Sequence, residues 1–230
     1  MNGIKGCGSH EHHQHSISDE LITHFPYAIF SIAIGMIILS FLSFFTTFSS
    51  KEELILQTSG DMLFHSFHFM HIIFAATGSM ITFFRFSKNI IIGFLVSAIS
   101  SAFFCVLSDI IMPYASGRLL GVKMNFHFCF LSEIHNILPF LFVGLVNGYF
   151  MSRHCLTKQT IYSLGSHFTH IFVSSLASLF YIVANGLTNW PEYMGPLFIL
   201  LIIAVLIPCT LSDLVVPIWC ATAGKKGERY

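Results

Sequence analysis

The chain carries one arrangement of polar residues twice, inside segments that are otherwise apolar. The segment HFMHI at positions 68–72 returns as HFTHI at 167–171, and CVLSD at 105–109 returns as CTLSD at 209–213. Each copy therefore places two histidines, a cysteine and an aspartate in the same order. Polar residues inside a membrane segment are costly and rare, so a repeated set of them indicates a function. The repetition predicts a fold built from two related halves.

Proline and glutamate extend the correspondence. Pro113 and Pro217 stand at the same offset after the two CxLSD segments. A weaker third match pairs a glutamate with a proline six positions later: Glu20 with Pro26, and Glu133 with Pro139. A proline inside a helix displaces the carbonyl four residues before it. We therefore expect a hinge or kink at Pro26 and at Pro139.

Composition indicates a membrane protein. Hydrophobic residues make up 54% of the chain and charged residues only 10%, whereas soluble domains carry about 25% charged residues. The net charge of zero argues against a nucleic-acid partner. The six cysteines fall mostly in apolar stretches and do not resemble a secreted disulfide framework. The first residues are polar and histidine-rich, without the apolar core of a signal peptide.

Segments of about 20 apolar residues mark membrane-spanning helices. Six are predicted, at 20–48, 62–84, 89–113, 126–151, 161–186 and 194–219. The expected fold class is an all-α polytopic membrane protein. Its expected parts are a His-rich disordered tail, a first repeat of three helices, a second repeat of three helices and a basic tail, at 1–19, 20–124, 125–221 and 222–230.

The distribution of lysine and arginine predicts the orientation, because cytoplasmic loops carry more of both. With the N-terminus in the cytoplasm, the outer face holds only Lys51, Arg118 and Lys123. The inner face then holds Lys5, Arg85, Lys88, Arg153, Lys158, Lys225, Lys226 and Arg229. Both termini are expected in the cytoplasm, and a bacterial inner membrane is the expected location. Three helices per repeat then invert the second repeat relative to the first, an architecture common among secondary transporters.

The repeated residue types are metal ligands. The strongest candidates form two sets: His68, His71, Asp109 and Glu133, and His167, His170, Asp213 and Glu20. Residues three or four apart on a helix share a face, so each His pair is expected to converge. Weaker candidates are Cys105, Cys209, His24, His135 and His65. A metal-attracting role is also expected for the tail residues Cys7, His10, His12, His13 and His15.

Imidazole, carboxylate and thiolate suit Zn, Fe, Mn, Co or Ni, whereas Mg²⁺ and Ca²⁺ prefer oxygen ligands alone. The sequence therefore predicts a transporter, and not an enzyme, that moves a divalent transition-metal cation across the lipid bilayer by alternating access. Proton coupling would be natural, since ligands release protons when they bind metal. No organic cofactor is expected. Whether one central site or two mirrored sites operate, and whether the ion enters or leaves the cell, stays open.

Two other functions are compatible with intramembrane histidines. A membrane b-type haem protein would ligate haem through histidines on different helices, and a membrane metalloenzyme would concentrate its histidines on one face. No Walker A, dinucleotide-binding or GxSxG pattern is present. The GxxxG pattern of Gly144 and Gly148 predicts a close helix contact or a homodimer.

Overall fold

The computed structural model describes residues 17–127, 133–153 and 156–226, and within them the side chains except at 17–21, 23, 156–166 and 224–226. In these residues the chain is helical and has no β-strand. The first half contains α1 (Ile17–Thr46), α2 (Glu52–Phe86), α3 (Ile90–Val106), a π-helical turn (Leu107–Ile111) and α4 (Met112–Leu119). The second half contains α5 (Ile134–Ser152), α6 (Leu156–Ala184), a short 3₁₀ helix (Trp190–Tyr193), α7 (Met194–Thr210), a second π-helical turn (Leu211–Val215) and α8 (Val216–Lys226).

Six of the resulting helical stretches are long and apolar enough to cross a membrane, as the sequence predicts. They run over His24–Thr46, Glu52–Phe86, Ile90–Leu119, Ile134–Ser152, His167–Ala184 and Trp190–Ala223. Large apolar side chains cover their outer faces, whereas serine, histidine and aspartate lie inside. Phe45 and Ile91, for example, are 69% and 73% exposed. An apolar exterior around a polar interior indicates a membrane protein.

Helix α2 begins ten residues before the predicted start of the second span, at Glu52 instead of position 62. Its first turn carries Glu52 and Glu53, and acidic side chains there interact favourably with the helix dipole. Hydropathy detects the apolar part of a helix and misses a polar extension of this kind.

A π-helical turn begins inside each CxLSD segment, and we name these turns the first π-turn (Leu107–Ile111) and the second π-turn (Leu211–Val215). In the first, the Met112 N–H donates to the Leu107 carbonyl, five residues back. The next N–H in this register would come from Pro113, which has none. Pro113 thus removes one backbone hydrogen bond. The helix nevertheless continues past it as α4, although a proline at this position suggests a helix end.

The carbonyls that the prolines leave without a helical donor accept hydrogen bonds from serines of other helices. Ser178 Oγ donates to the Ser108 carbonyl at 3.0 Å. In the second π-turn, Ser100 Oγ donates to the Ser212 carbonyl at 3.1 Å. In each π-turn, a serine side chain of another helix thus binds the backbone carbonyl just before the aspartate. This hydrogen bond holds the position of Asp109 in the first π-turn and of Asp213 in the second. Pro26 and Pro139 also lie inside continuous helices, α1 and α5.

Helices α2 and α6 form the centre of the bundle, with α5 and α3 packed on α2, and α1 and α7 on α6. Small side chains line the buried faces of both central helices, namely Ala75, Ala76, Gly78 and Ser79 on α2 and Ser174, Ser175, Ala177 and Ser178 on α6. Small residues let helix backbones approach closely in a membrane. The histidines of α2 and α6 are therefore brought near one another.

The GxxxG pair of α5 contacts α2 of the same chain. A Cβ on Gly144 would lie 2.6 Å from the Ile73 carbonyl oxygen, and one on Gly148 would lie 2.8 Å from that of Thr77. Thr77 Oγ1 also donates to the Gly144 carbonyl at 3.1 Å. The predicted close helix contact is made within one chain; homodimer formation stays a prediction.

Replacing Gly144 or Gly148 by alanine should destabilise the protein, because the added methyl group collides with backbone that cannot rotate away. We expect a loss of about 1–3 kcal/mol in unfolding free energy, typical of overpacking. Thermal unfolding in detergent measures this. Gly195→Ala is the matched control, since nothing lies within 4 Å of its Cβ position. Equal stability of Gly144→Ala and Gly195→Ala would contradict the packing.

Candidate metal centre

Asp109 joins the two histidines of α2. His68 Nδ1 and His71 Nδ1 lie 2.8 and 2.7 Å from Asp109 Oδ2. The histidines are one helical turn apart and reach one oxygen because they share a face of α2, as the sequence predicts. All three side chains are buried.

The second half repeats this arrangement atom for atom. His167 Nδ1 and His170 Nδ1 of α6 lie 2.9 and 2.6 Å from Asp213 Oδ2 of the second π-turn. The same nitrogen of each ring and the same oxygen of each carboxylate take part in both halves. We name these groups the Asp109 triad (His68, His71, Asp109) and the Asp213 triad (His167, His170, Asp213).

The hydrogen bonds to aspartate determine which nitrogen of each imidazole is available. An ionised carboxylate only accepts, so each Nδ1 donates its proton to aspartate. A neutral imidazole then has its lone pair on Nε2. Within the described residues, His68 Nε2 and His170 Nε2 are buried and have no hydrogen-bond partner. Carboxylate-bound histidines with a free Nε2 are the usual arrangement at protein metal sites.

The two triads meet in the interior of the bundle. The rings of His71 and His170 lie 4.4 Å apart, and Cys209 Sγ lies 3.7 Å from His71 Nε2. Ligand atoms of His71, His170 and Cys209 all lie within 4.8 Å of one another. Ligand atoms around a tetrahedral zinc ion are about 3.3–3.8 Å apart, given its bond lengths. A shift of roughly 1 Å would therefore bring these three atoms to metal-binding distance. We name His71, His170 and Cys209 the central group.

Cys105 lies beside the central group. It is buried and packs with Ile72 and Ala75, the α2 residues next to His71 in sequence and one turn on. Each half of the chain thus contributes one histidine and one cysteine to this region. Imidazole and thiolate together are the donor set that favours tetrahedral Zn²⁺ and related ions.

Four other predicted ligands, His24, His65, Glu133 and His135, lie apart from the central group. His24 is buried with its ring 5.3 Å from that of His167, so it borders the Asp213 triad. The ring of His65 packs edge-on against Phe64, whose ring stacks on that of His68. Glu133 accepts a hydrogen bond from Asn136 at the start of α5, and His135 is exposed. Among the described contacts, none joins Glu133 or His135 to either triad.

Several predicted ligands lie outside the described residues. They are the side chain of Glu20 and the tail residues Cys7, His10, His12, His13 and His15. Their predicted metal roles stay predictions.

Serines complete the environment of Asp109 and were missed in the sequence. Ser108 Oγ and Ser174 Oγ donate to Asp109 Oδ1 at 2.8 and 2.9 Å. With two histidines on Oδ2, this carboxylate has four donors. Ser108 belongs to the repeated CxLSD segment and Ser174 to a run of serines on α6, and these are the signals that the sequence offers for them.

Comparison with protein-family models, with curated proteins and with solved structures finds no match to this chain.

Cobalt binding tests the central group through its sulfur ligand. Co²⁺ added to the purified protein should produce a sulfur-to-cobalt charge-transfer absorption, because Cys209 would bind it as thiolate. Cys209→Ser should remove most of this absorption. Cys220→Ser is the matched control, since Cys220 lies in α8, outside the central group. An unchanged spectrum in Cys209→Ser would exclude Cys209 as a ligand.

Proposed function

We propose that this chain is a membrane transporter for a divalent transition-metal cation, which binds between the two triads and crosses by alternating access. One observation carries the proposal: four buried histidines are held by aspartate through Nδ1, which leaves Nε2 available to a metal. Helix packing alone does not require two buried groups of two histidines and one aspartate. Buried polar networks have to be fully paired to be stable, and these leave ring nitrogens unpaired.

The location of the central group supports a single site shared by both halves. His71 comes from the first half, whereas His170 and Cys209 come from the second. A site between two halves changes its access when one half moves against the other, which is how transporters with repeats operate. We propose that the halves are an inverted repeat, with three spans in each.

Burial of the ligands supports an occluded state. His71 and His170 are each 1% exposed and Cys209 is 3% exposed. On one side of them, Phe64 stacks on His68 and packs edge-on against Tyr181. Movement of the halves would open a path past these rings. An occluded site between triads fits a carrier better than a continuously open channel.

The histidines form a series that extends away from the central group in both directions. His71 and His68 share Asp109, and His170 and His167 share Asp213. His24 then follows His167 at 5.3 Å between ring centroids. We propose that the ion passes along these imidazoles on its way to and from the central group.

The donor set supports Zn²⁺, Co²⁺ or Ni²⁺ before Fe²⁺ or Mn²⁺, because thiolate and imidazole favour the softer ions. Protons released by the ligands on metal binding would allow metal–proton exchange. We further propose that both termini lie in the cytoplasm of a bacterial inner membrane, on the basis of the lysine and arginine distribution. The histidine-rich tail would then collect ions on that side.

The same geometry disfavours the haem alternative at the central group. The His71 and His170 rings are 4.4 Å apart, which leaves no room for a macrocycle between them. Phe64 stacks on His68 and occupies the face that a haem would need. The metalloenzyme alternative is disfavoured because a substrate has to reach the metal, and the central group is almost fully enclosed.

Transport by single-site variants tests the proposal. Purified protein in liposomes should take up at least one of Zn²⁺, Co²⁺, Ni²⁺, Fe²⁺ and Mn²⁺ faster than empty liposomes. His71→Ala and His170→Ala should each lower uptake at limiting ion concentration about 10-fold or more, since each removes a ligand. Metal flux measured with an enclosed fluorescent indicator provides the rate.

His135→Ala is the matched control, because His135 is exposed and lies outside the central group. It should transport at the unaltered rate. If His71→Ala and His170→Ala both transport as fast as His135→Ala, the proposed site is wrong. If the unaltered chain moves none of the five ions, the proposed function is wrong.

A further inference from the structure

The two triads have the same histidine geometry at Oδ2 of the aspartate but differ in the hydrogen bonds that Oδ1 accepts. Asp109 Oδ1 accepts from Ser108 and from Ser174. Among the described residues, Asp213 Oδ1 has no hydrogen-bond partner, although Asp213 is 1% exposed. A buried carboxylate oxygen without a hydrogen-bond partner is strongly destabilising and requires an explanation.

The hydroxyl that corresponds to Ser108 is present but unpaired in the second half. Ser212 precedes Asp213 as Ser108 precedes Asp109, yet within the described part of the chain Ser212 Oγ is buried without a partner. The position that corresponds to Ser174 is Ala75, which has no hydroxyl. Neither of the two hydroxyls that donate to Asp109 Oδ1 therefore has a counterpart that donates to Asp213 Oδ1.

A third oxygen without a partner among the described residues belongs to α2. Ser79 Oγ is fully buried and unpaired, whereas its counterpart Ser178 donates to the first π-turn. Ser79 directly follows Gly78, whose Cβ position lies 3.3 Å from Asp213 Oδ1 and 2.6 Å from Oδ2. The absence of a side chain at position 78 allows the α2 backbone to lie against the Asp213 carboxylate. Asp213 and Ser212 belong to the second π-turn, and Ser79 belongs to the part of α2 that packs against this turn.

We propose that Asp213 Oδ1, Ser212 Oγ and Ser79 Oγ form a second cation site that takes a monovalent ion such as Na⁺. All three donors are oxygens, which transition metals with a preference for sulfur and nitrogen bind poorly. The site contributes one negative charge, shared with two imidazole donors on Oδ2, so a single positive charge suffices. An ion here would complete the environment of Asp213 as serine hydroxyls complete that of Asp109.

The site contacts the metal pathway through one carboxylate. Asp213 orients His167 and His170 by Oδ2 and would hold the monovalent ion by Oδ1. Binding of the ion would fix the carboxylate and, through it, the direction of the His170 ring in the central group. The ion would then act as a coupling ion for metal transport, a role that rests on the proposed function. The cation site itself does not depend on it.

Thermal unfolding at constant ionic strength tests the site. A ligand that binds only the folded protein raises the melting temperature progressively with its concentration. As NaCl replaces choline chloride, the melting temperature of the unaltered protein should rise. Ser79→Ala and Ser212→Ala should reduce or abolish this rise.

Ser174→Ala is the matched control. It removes a buried hydroxyl from Asp109 instead of Asp213 and should keep the full response to Na⁺, whatever its own stability. Equal melting temperatures in NaCl and choline chloride would overturn the site, and would leave water as the partner of these oxygens. A response that Ser79→Ala and Ser212→Ala both retain would also overturn it.

The cobalt absorption recorded on the same samples separates this inference from the proposed function. A cobalt spectrum that depends on Cys209, without any effect of Na⁺ on melting, overturns the cation site and leaves the metal centre intact. A Na⁺ response lost in Ser79→Ala and Ser212→Ala supports the cation site even where no metal is transported.

Discussion

A carboxylate inside an apolar helix bundle has to find hydrogen-bond donors within the bundle, because the hydrocarbon core of a bilayer supplies none. Asp109 and Asp213 each meet this requirement with two histidines one turn apart on a neighbouring helix. The requirement accounts for much of the interior. It sets the distance between α2 and the first π-turn and between α6 and the second. It also fixes the proton on Nδ1, so every histidine of the two triads directs the same nitrogen away from its aspartate.

The two π-turns interrupt the regular α-helical hydrogen bonding and serve this arrangement. A proline five residues after each serine removes the donor that the π-register would use, and a serine from another helix replaces it. A hydrogen bond from another helix thereby holds each π-turn in the bundle. Such single π-helical turns are frequent at functional sites, where they re-aim a side chain without ending the helix. Here the re-aimed side chain is an aspartate in both halves.

The sequence predicts the helical class, the number of spans and the shared face of each His pair, because these depend on local hydropathy and helical periodicity. It does not predict the π-turns: Pro113 suggests a helix end, whereas the helix continues through a change of hydrogen-bond register. It also does not predict that the triads touch, since the 4.4 Å between His71 and His170 depends on small residues of α2 and α6 packing closely. The match of Glu133 with Glu20 rests on one glutamate and one proline per half, and Glu133 bonds Asn136 instead of a triad.

X-ray absorption of the zinc-loaded protein tests the central claim, a single metal site shared by the two halves, most directly. The sample would carry alanine at positions 10, 12, 13 and 15, so that the tail histidines do not contribute. The account predicts one zinc per chain with a mixed shell of imidazole nitrogen at about 2.0–2.1 Å and sulfur at about 2.3 Å. A shell of oxygen and nitrogen alone, or the loss of bound zinc with the tail histidines, would contradict it.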